Sequence, residues 1–129
     1  MLIVRIYYED TDSGGVVYYA NYLKYMERAR TEWLRELGFE QDSMLTEEGV
    51  IFAVKTVTID YRTAAHFNDQ LEVKTILHKL GRASITFQQN IYRGEEIVTT
   101  ATVKIASIKS KSFKPTAIPK QLYMKINSI

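Results

Sequence analysis

The sequence between residues 19 and 37 reads YANYLKYMERARTEWLREL. Its apolar side chains recur at the spacing of one helix face, while lysine, arginine and glutamate occupy the other face. The apolar positions are Leu23, Met26, Trp33, Leu34 and Leu37. Gly38, which tolerates the left-handed conformation that ends many helices, follows directly. The stretch therefore predicts one long amphipathic helix.

Strand-like segments lie on both sides of this helix. They are rich in β-branched and aromatic residues or alternate apolar with polar ones, and they occupy residues 1–8, 51–62, 71–80, 83–93 and 96–111. Gly81-Arg82 and Gly94-Glu95 separate the last three segments and predict hairpin turns between antiparallel neighbours. The order of elements predicts an α+β fold in which one long helix packs across a five-stranded antiparallel sheet.

The remaining segments complete one domain over residues 1–129. Residues 39–49 are expected to form a loop, and Pro119 is expected to start a short docked helix. One helix covers only one face of such a sheet, so the other face or a sheet edge should be buried by a second copy of the chain. We therefore expect a homodimer or a homotetramer.

The composition is that of an ordinary globular protein, with 46% hydrophobic and 25% charged residues. The chain has no cysteine, which excludes disulfides, thiolate zinc sites and cysteine nucleophiles and fits a cytoplasmic location. The first residues become charged too early for a secretory signal. No apolar run approaches the roughly 18 residues of a membrane span, so none is expected.

Charge is distributed unevenly along the chain. All 15 acidic residues lie in residues 1–96, whereas residues 97–129 carry six lysines and no acid. Such a basic segment could face nucleic acid, an acidic protein or a phosphorylated ligand, or it could be a solvated surface. No nucleic-acid-binding motif accompanies it, so we expect no nucleic acid partner.

Common catalytic motifs are missing from the sequence. It has no G-x-S-x-G elbow, no H-E-x-x-H metal motif and no phosphate-binding glycine loop. The two histidines, His66 and His78, lie in different segments. We therefore expect neither a metal nor a cofactor, and His66 is the better candidate of the two to line a site.

Two carboxylates precede the long helix, in the run EDTDSGG at residues 9–15. A calcium loop is excluded, because its twelfth position would be Asn21 rather than glutamate and a strand precedes it. Both aspartates could simply accept backbone hydrogen bonds in a turn, which is the preferred interpretation of Asp10. Asp12 is followed by a flexible turn to the helix start, where free N–H groups could hold a carbonyl oxygen while the carboxylate promotes attack on the carbonyl carbon.

Six of the nine tyrosines are concentrated around this region. They are Tyr7, Tyr8, Tyr18, Tyr19, Tyr22 and Tyr25. They could be core residues, or they could line an apolar channel for an acyl or aryl group.

The stretch from Tyr8 to Arg30 resembles the N-terminal motif of the hotdog-fold acyl-CoA thioesterases. It is most similar to the Tol–Pal-associated, YbgC-like subgroup, and it is similar also to the 4-hydroxybenzoyl-CoA thioesterases. The shared residues are Tyr8, Asp10-Thr11-Asp12, Gly15-Val16-Val17-Tyr18, Ala20-Asn21-Tyr22-Leu23, Tyr25 and Glu27-Arg28-Ala29-Arg30. Weaker agreement extends to Gly81-Arg82-Ala83-Ser84 and covers nearly the whole chain.

The resemblance implies a hotdog fold, dimers with continuous sheets that often pair into tetramers, and hydrolysis of acyl-CoA thioesters. It places the catalytic carboxylate on Asp12, as nucleophile or as base for water, and the carbonyl-polarising backbone N–H on Tyr19. It places substrate contacts on Tyr18 and Asn21 within the motif. Basic side chains near the turn after the third strand, Arg82 and Lys79, are then expected to meet the CoA phosphates.

One position departs from the pattern, because Tyr19 stands where the YbgC-like subgroup usually has histidine. The backbone donor survives this change, whereas a proton-handling role for an imidazole does not. The preference among short, long and aryl acyl groups therefore stays open, as does the choice between CoA and an acyl-carrier protein. The alternative function is a non-hydrolytic scaffold that binds acyl groups or an acyl-carrier protein.

Overall fold

A curved antiparallel sheet of five strands wraps one long helix. The computed structural model describes residues 1–129. In chain order the elements are β1 (Leu2–Arg5), α1 (Asn21–Glu36), α2 (Gln41–Glu48), β2 (Val50–Tyr61), β3 (Gln70–Leu80), β4 (Ser84–Arg93), β5 (Glu96–Lys109) and α3 (Lys120–Asn127). A single 3-10 turn at Tyr8–Asp10 follows β1. The predicted α+β class with its five strands and long helix is confirmed.

The strands lie in the order β1-β3-β4-β5-β2. Both predicted hairpins are present, because β3 pairs with β4 and β4 with β5 in antiparallel register. The β2 strand pairs only with β5, from Val50 opposite Lys109 to Tyr61 opposite Thr99. One edge of this 12-residue strand therefore has no partner in the chain.

The chain holds three helices rather than one long helix and one short one. Residues 41–48, expected to be a loop, form α2, which buries Met44. Its sequence, QDSMLTEE, has only two apolar residues and so lacks the helical periodicity that marks α1. The short helix after Pro119 is confirmed, with Leu122 and Ile126 fully buried. None of the helices is long and apolar enough to cross a membrane.

The core lies between α1 and the inner face of the sheet. Tyr25 and Met26 of α1 are almost completely buried, and Trp33 contacts the ring of Phe87 edge-on at 5.0 Å. The outer face carries polar side chains instead, including a hydrogen bond from Thr102 to Gln88 (2.9 Å). The outer face is therefore mostly polar, with Ile76 of β3 as an exposed apolar exception, and further exposed apolar side chains, Val54 and Val57, lie on the edge strand β2.

Candidate active site

Asp12 lies at the tip of a small hairpin between β1 and α1. The Asp12 N–H donates to the carbonyl oxygen of Val16 (2.9 Å), and the N–H of Gly15 donates to the Asp12 carbonyl oxygen (3.0 Å). The carboxylate is exposed, and its Oδ1 accepts the N–H of Gly14 (2.8 Å). This contact orients the carboxylate and leaves Oδ2 free to act on a ligand.

Asp10 holds the turn before α1 through hydrogen bonds. Its Oδ2 accepts the N–H of Tyr7 (2.7 Å), and its carbonyl oxygen accepts the N–H of Tyr18 (2.9 Å) and the side-chain amide of Asn21 (2.9 Å). These bonds join the 3-10 turn to the start of α1, as expected of a turn residue. Asn21 is nearly buried, so its amide positions the helix start; its predicted contact with substrate stays a prediction.

Two backbone donors are free immediately before the first turn of α1. The helix begins at Asn21, two residues later than predicted, with Ala20 as its N-cap. The N–H groups of Tyr19 and Ala20 make no hydrogen bond within the chain. Since the N-terminal end of a helix carries partial positive charge, these groups suit a carbonyl oxygen that gains negative charge.

The segment between β2 and β3 is hydrogen-bonded to the Asp12 hairpin. The N–H of Val17 donates to the Ala65 carbonyl oxygen (2.8 Å), and Val16 pairs with His66 in an antiparallel bridge. Ala65 in turn donates its N–H to the hydroxyl of Tyr22 (3.2 Å). The hairpin, α1 and this segment are thereby one hydrogen-bonded unit.

Asp69 anchors the same segment to the sheet. Its carboxylate accepts the N–H of His66 (2.8 Å) and Nη1 of Arg93 (2.6 Å), and Arg93 also donates to the Ala64 carbonyl oxygen (3.1 Å). Partial burial alone would raise the pKa of Asp69, but the His66 N–H and the Arg93 guanidinium outweigh it and hold the pKa below its usual value. The sequence offered no signal for this ion pair, because its partners are 24 residues apart.

Aromatic side chains form a recess beside Tyr19. The ring of Tyr61 contacts Tyr19 edge-on at 6.1 Å and Tyr22 at 5.8 Å, and Tyr18 lies 4.9 Å from Tyr19. Burial raises the pKa of Tyr22 and Tyr61, so both phenols remain neutral hydrogen-bonding groups near pH 7. A cavity of about 230 Å³ there is lined by Val17, Tyr19, Tyr22, Tyr61, Arg62, Thr63 and Ala64.

Lys79 and Arg82 lie at the other end of the sheet. Lys79 lies near the end of β3 and Arg82 lies in the β3–β4 turn, where its carbonyl oxygen accepts the N–H of Ile118 (2.9 Å). The Asp12 hairpin lies beside the opposite end of β4, at Arg93, and ten residues of strand separate the ends by roughly 30 Å. One chain therefore does not bring these cations to Asp12, Tyr18 and Tyr19. Their contacts with the CoA phosphates stay a prediction.

This architecture is that of known thioesterases. A model of the thioesterase-like superfamily matches residues 7–126. The chain belongs to this superfamily. The acyl-CoA thioesterase YbgC of Haemophilus influenzae is 48% identical to it over 92% of the chain and 88% of the relative.

Solved structures of the superfamily share the fold. A probable thioesterase from Bartonella henselae is 36% identical, with a TM-score of 0.87 over 92% of the chain and 97% of that structure. A DHNA-CoA thioesterase from Staphylococcus aureus is 26% identical, with a TM-score of 0.89 over 98% and 89% of the two chains. The predicted hotdog fold and the predicted membership of the acyl-CoA thioesterases are confirmed, and so is the prediction of a thioester hydrolase.

Proposed function

We propose that this thioesterase hydrolyses acyl-CoA to a free acid and CoA, with Asp12 and the Tyr19 N–H as its catalytic groups. One observation carries the proposal: an exposed, oriented carboxylate and an unpaired N–H at a helix start belong to one hydrogen-bonded unit. The carboxylate supplies a nucleophile or a base, and the N–H supplies the donor that polarises the carbonyl.

The reaction follows from these two groups. The thioester oxygen accepts the Tyr19 N–H, and the carbonyl carbon becomes more electrophilic. With Asp12 as base, the carboxylate takes a proton from water, the water oxygen bonds to the carbonyl carbon, and the carbon–sulfur bond breaks. The CoA thiolate leaves and takes up a proton. With Asp12 as nucleophile, an acyl-aspartyl anhydride forms first and water then cleaves it.

We propose that the active form is at least a homodimer joined through β2. Its free edge presents unpaired N–H and C=O groups, and the exposed fraction of Val54 is 51% and that of Val57 is 38%. Exposed edges of this kind pair readily with another strand. When a second copy pairs antiparallel with β2, its sheet runs in the opposite direction. The end of the second sheet that carries Lys79 and Arg82 therefore lies at the same end of the dimer as Asp12 of the first copy.

A panel of acyl-CoA esters, from acetyl to long-chain and aryl groups, tests the activity. Because the chain has no cysteine, released CoA is the only thiol in the assay and a thiol reagent measures it directly. We expect turnover on at least one ester. If ester binds and no thiol appears from any of them, the non-hydrolytic scaffold replaces the proposed hydrolase. Sedimentation velocity at micromolar protein tests the assembly, and a chain that stays at 14.9 kDa contradicts it.

A further inference from the structure

Arg30 is a buried cation that makes no ion pair at contact distance in its own chain, although burial lowers its pKa and the charge of Glu27, one turn before it on α1, partly offsets that effect. Its exposed fraction is 8%, and it takes part in none of the ion pairs. The guanidinium donates one hydrogen bond, from Nη1 to the amide oxygen of Gln89 (2.9 Å). Gln89 is fully buried and neutral, and its amide nitrogen donates to the Met26 carbonyl oxygen and the Thr75 hydroxyl. A guanidinium stays charged in proteins, so this burial is unfavourable unless a carboxylate comes to ion-pair distance, and Glu27 of the same chain does not form such a pair.

A cavity connects Arg30 with the surface beside β2. Its volume is about 520 Å³, and it lies between α1 and the middle of the free strand. The lining residues are Leu23, Lys24, Glu27, Arg28, Arg30, Val54 and Val57. Glu27 is the only acid among them. Within its own chain that carboxylate accepts only the hydroxyl of Thr31, at 3.3 Å, and it is exposed.

In the dimer proposed above, a two-fold axis through the middle of β2 would pair that strand with its copy. Because α1 residues line the same cavity as Val54 and Val57 of β2, the same axis would set residues 23–30 of the two α1 helices opposite each other in antiparallel orientation. In such a contact every pair of residues occurs twice. Each helix contributes one Glu27 and one Arg30 to this contact, so a pair between Glu27 of one helix and Arg30 of the other would occur twice.

We propose that Glu27 of the partner subunit supplies the carboxylate for Arg30, and that each dimer contains two of these ion pairs. The pairs lie in the cavity between α1 and β2, where Val54, Val57 and Leu23 exclude water around them. The inference rests on the dimer proposed above and is independent of the hydrolytic chemistry.

A double-mutant cycle on the dimer dissociation constant tests the proposal. Sedimentation velocity over a dilution series compares the parent chain with Glu27→Gln, Arg30→Met and the double variant. We expect Glu27→Gln to raise the dissociation constant about 100-fold or more, since it leaves two guanidinium groups buried and unpaired. In the Arg30→Met background the same change should have little further effect, because the pairing is already lost.

Glu32→Gln is the matched control. Glu32 lies on α1 and is also an acid, but it pairs with Arg35 of its own chain. Its substitution should leave the dissociation constant within about 3-fold of the parent value. Circular dichroism establishes that each variant is folded, and Arg30→Lys takes the place of Arg30→Met in the cycle if the latter unfolds.

Three results would overturn the ion pair. One is a Glu27→Gln dimer as tight as the parent, which is also the result if Arg30 instead binds a small anion. Another is a pair of substitutions whose effects simply add. The third comes from mixing Glu27→Gln chains with Arg30→Met chains: the mixed dimer keeps one pair between subunits and should be tighter than either variant dimer, whereas a mixed dimer that is no tighter places the pair within one chain. Hydrolysis measured on the same samples separates this inference from the proposed function: an inactive parent dimer that still shows the coupling retains the ion pair and contradicts only the hydrolase.

Discussion

Nη1 of Arg93 lies 2.6 Å from Oδ2 of Asp69 and joins the end of β4 to the segment that supports the Asp12 hairpin. The exposed fractions of the two side chains are 28% and 25%, so solvent screens the pair only partly. The same guanidinium donates to Glu96 at the start of β5 (2.6 Å). The position of the Asp12 hairpin therefore depends on a side chain from the sheet.

Asp69→Asn should lower the free energy of unfolding by about 1–3 kcal/mol at pH 7, since a charged hydrogen-bond acceptor is lost. The Asp69 pKa is lowered by folding, so its contribution is present above its unfolded pKa and is lost as pH falls through the folded value. The difference between parent and variant should thus shrink below pH 4, as measured by denaturant unfolding. Asp60→Asn, which removes an exposed partner of Arg62, is the control and should change stability little.

Asp12→Asn should lower kcat by about 10²–10⁴-fold with little change in KM, because it removes the charge and basicity of a positioned group. Steady-state release of CoA measures both constants. Asp10→Asn is the internal control and should cost far less activity, since Asp10 accepts a backbone N–H in the turn. Equal losses of kcat in the two folded variants would leave the catalytic carboxylate unassigned. Normal turnover by Asp12→Asn would contradict the proposed mechanism.

Gly14→Ala should lower kcat while it changes the free energy of unfolding only slightly. An added Cβ would lie 3.2 Å from Oδ1 of Asp12, so the carboxylate must shift by a few tenths of an ångström. We expect a loss of up to about 10²-fold, the scale of small displacements in active sites.

Gly15→Ala provides the contrast with Gly14→Ala. Gly15 has φ +79° and open space around it, so alanine there strains the backbone without touching the carboxylate. It should lower the free energy of unfolding by about 1 kcal/mol. If Gly14→Ala has full activity, contact with Oδ1 does not set the position of the carboxylate.

Arg82→Ala should raise KM for acyl-CoA while kcat stays nearly unchanged, if Arg82 binds phosphate equally in the ground and transition states. The dependence of KM on salt should weaken as well. Arg35→Ala removes an equal charge at an exposed site on α1 and should leave both constants near the parent values. A lower kcat with constant KM would instead place Arg82 near the reacting atoms.

Local sequence patterns were enough to predict the strands and helices whose hydrophobic residues recur with a clear periodicity. The alternation of apolar and polar residues over 83–93, together with the two-residue turns, predicted β4 and its neighbours correctly. Strand pairing across a short turn depends on residues that are close in sequence. The α2 helix was missed because its packing, through Met44, depends on contacts distant in sequence. The motif at residues 8–30 identified the family and drew attention to Asp12 and Tyr19, since the hairpin and helix start that carry them are adjacent in the chain.

The sequence by itself determined the fold class, the hairpins, the family and the position of the candidate carboxylate, all of which depend on short-range pattern or motif. Only the tertiary structure placed β2 at a free edge, brought Tyr61 and Asp69 beside the Asp12 hairpin, and separated Lys79 and Arg82 from it by the length of a strand. It also showed that Arg30 is buried beside neutral Gln89. These features depend on which distant segments pack together, and the free energy of that packing is not encoded in any local stretch.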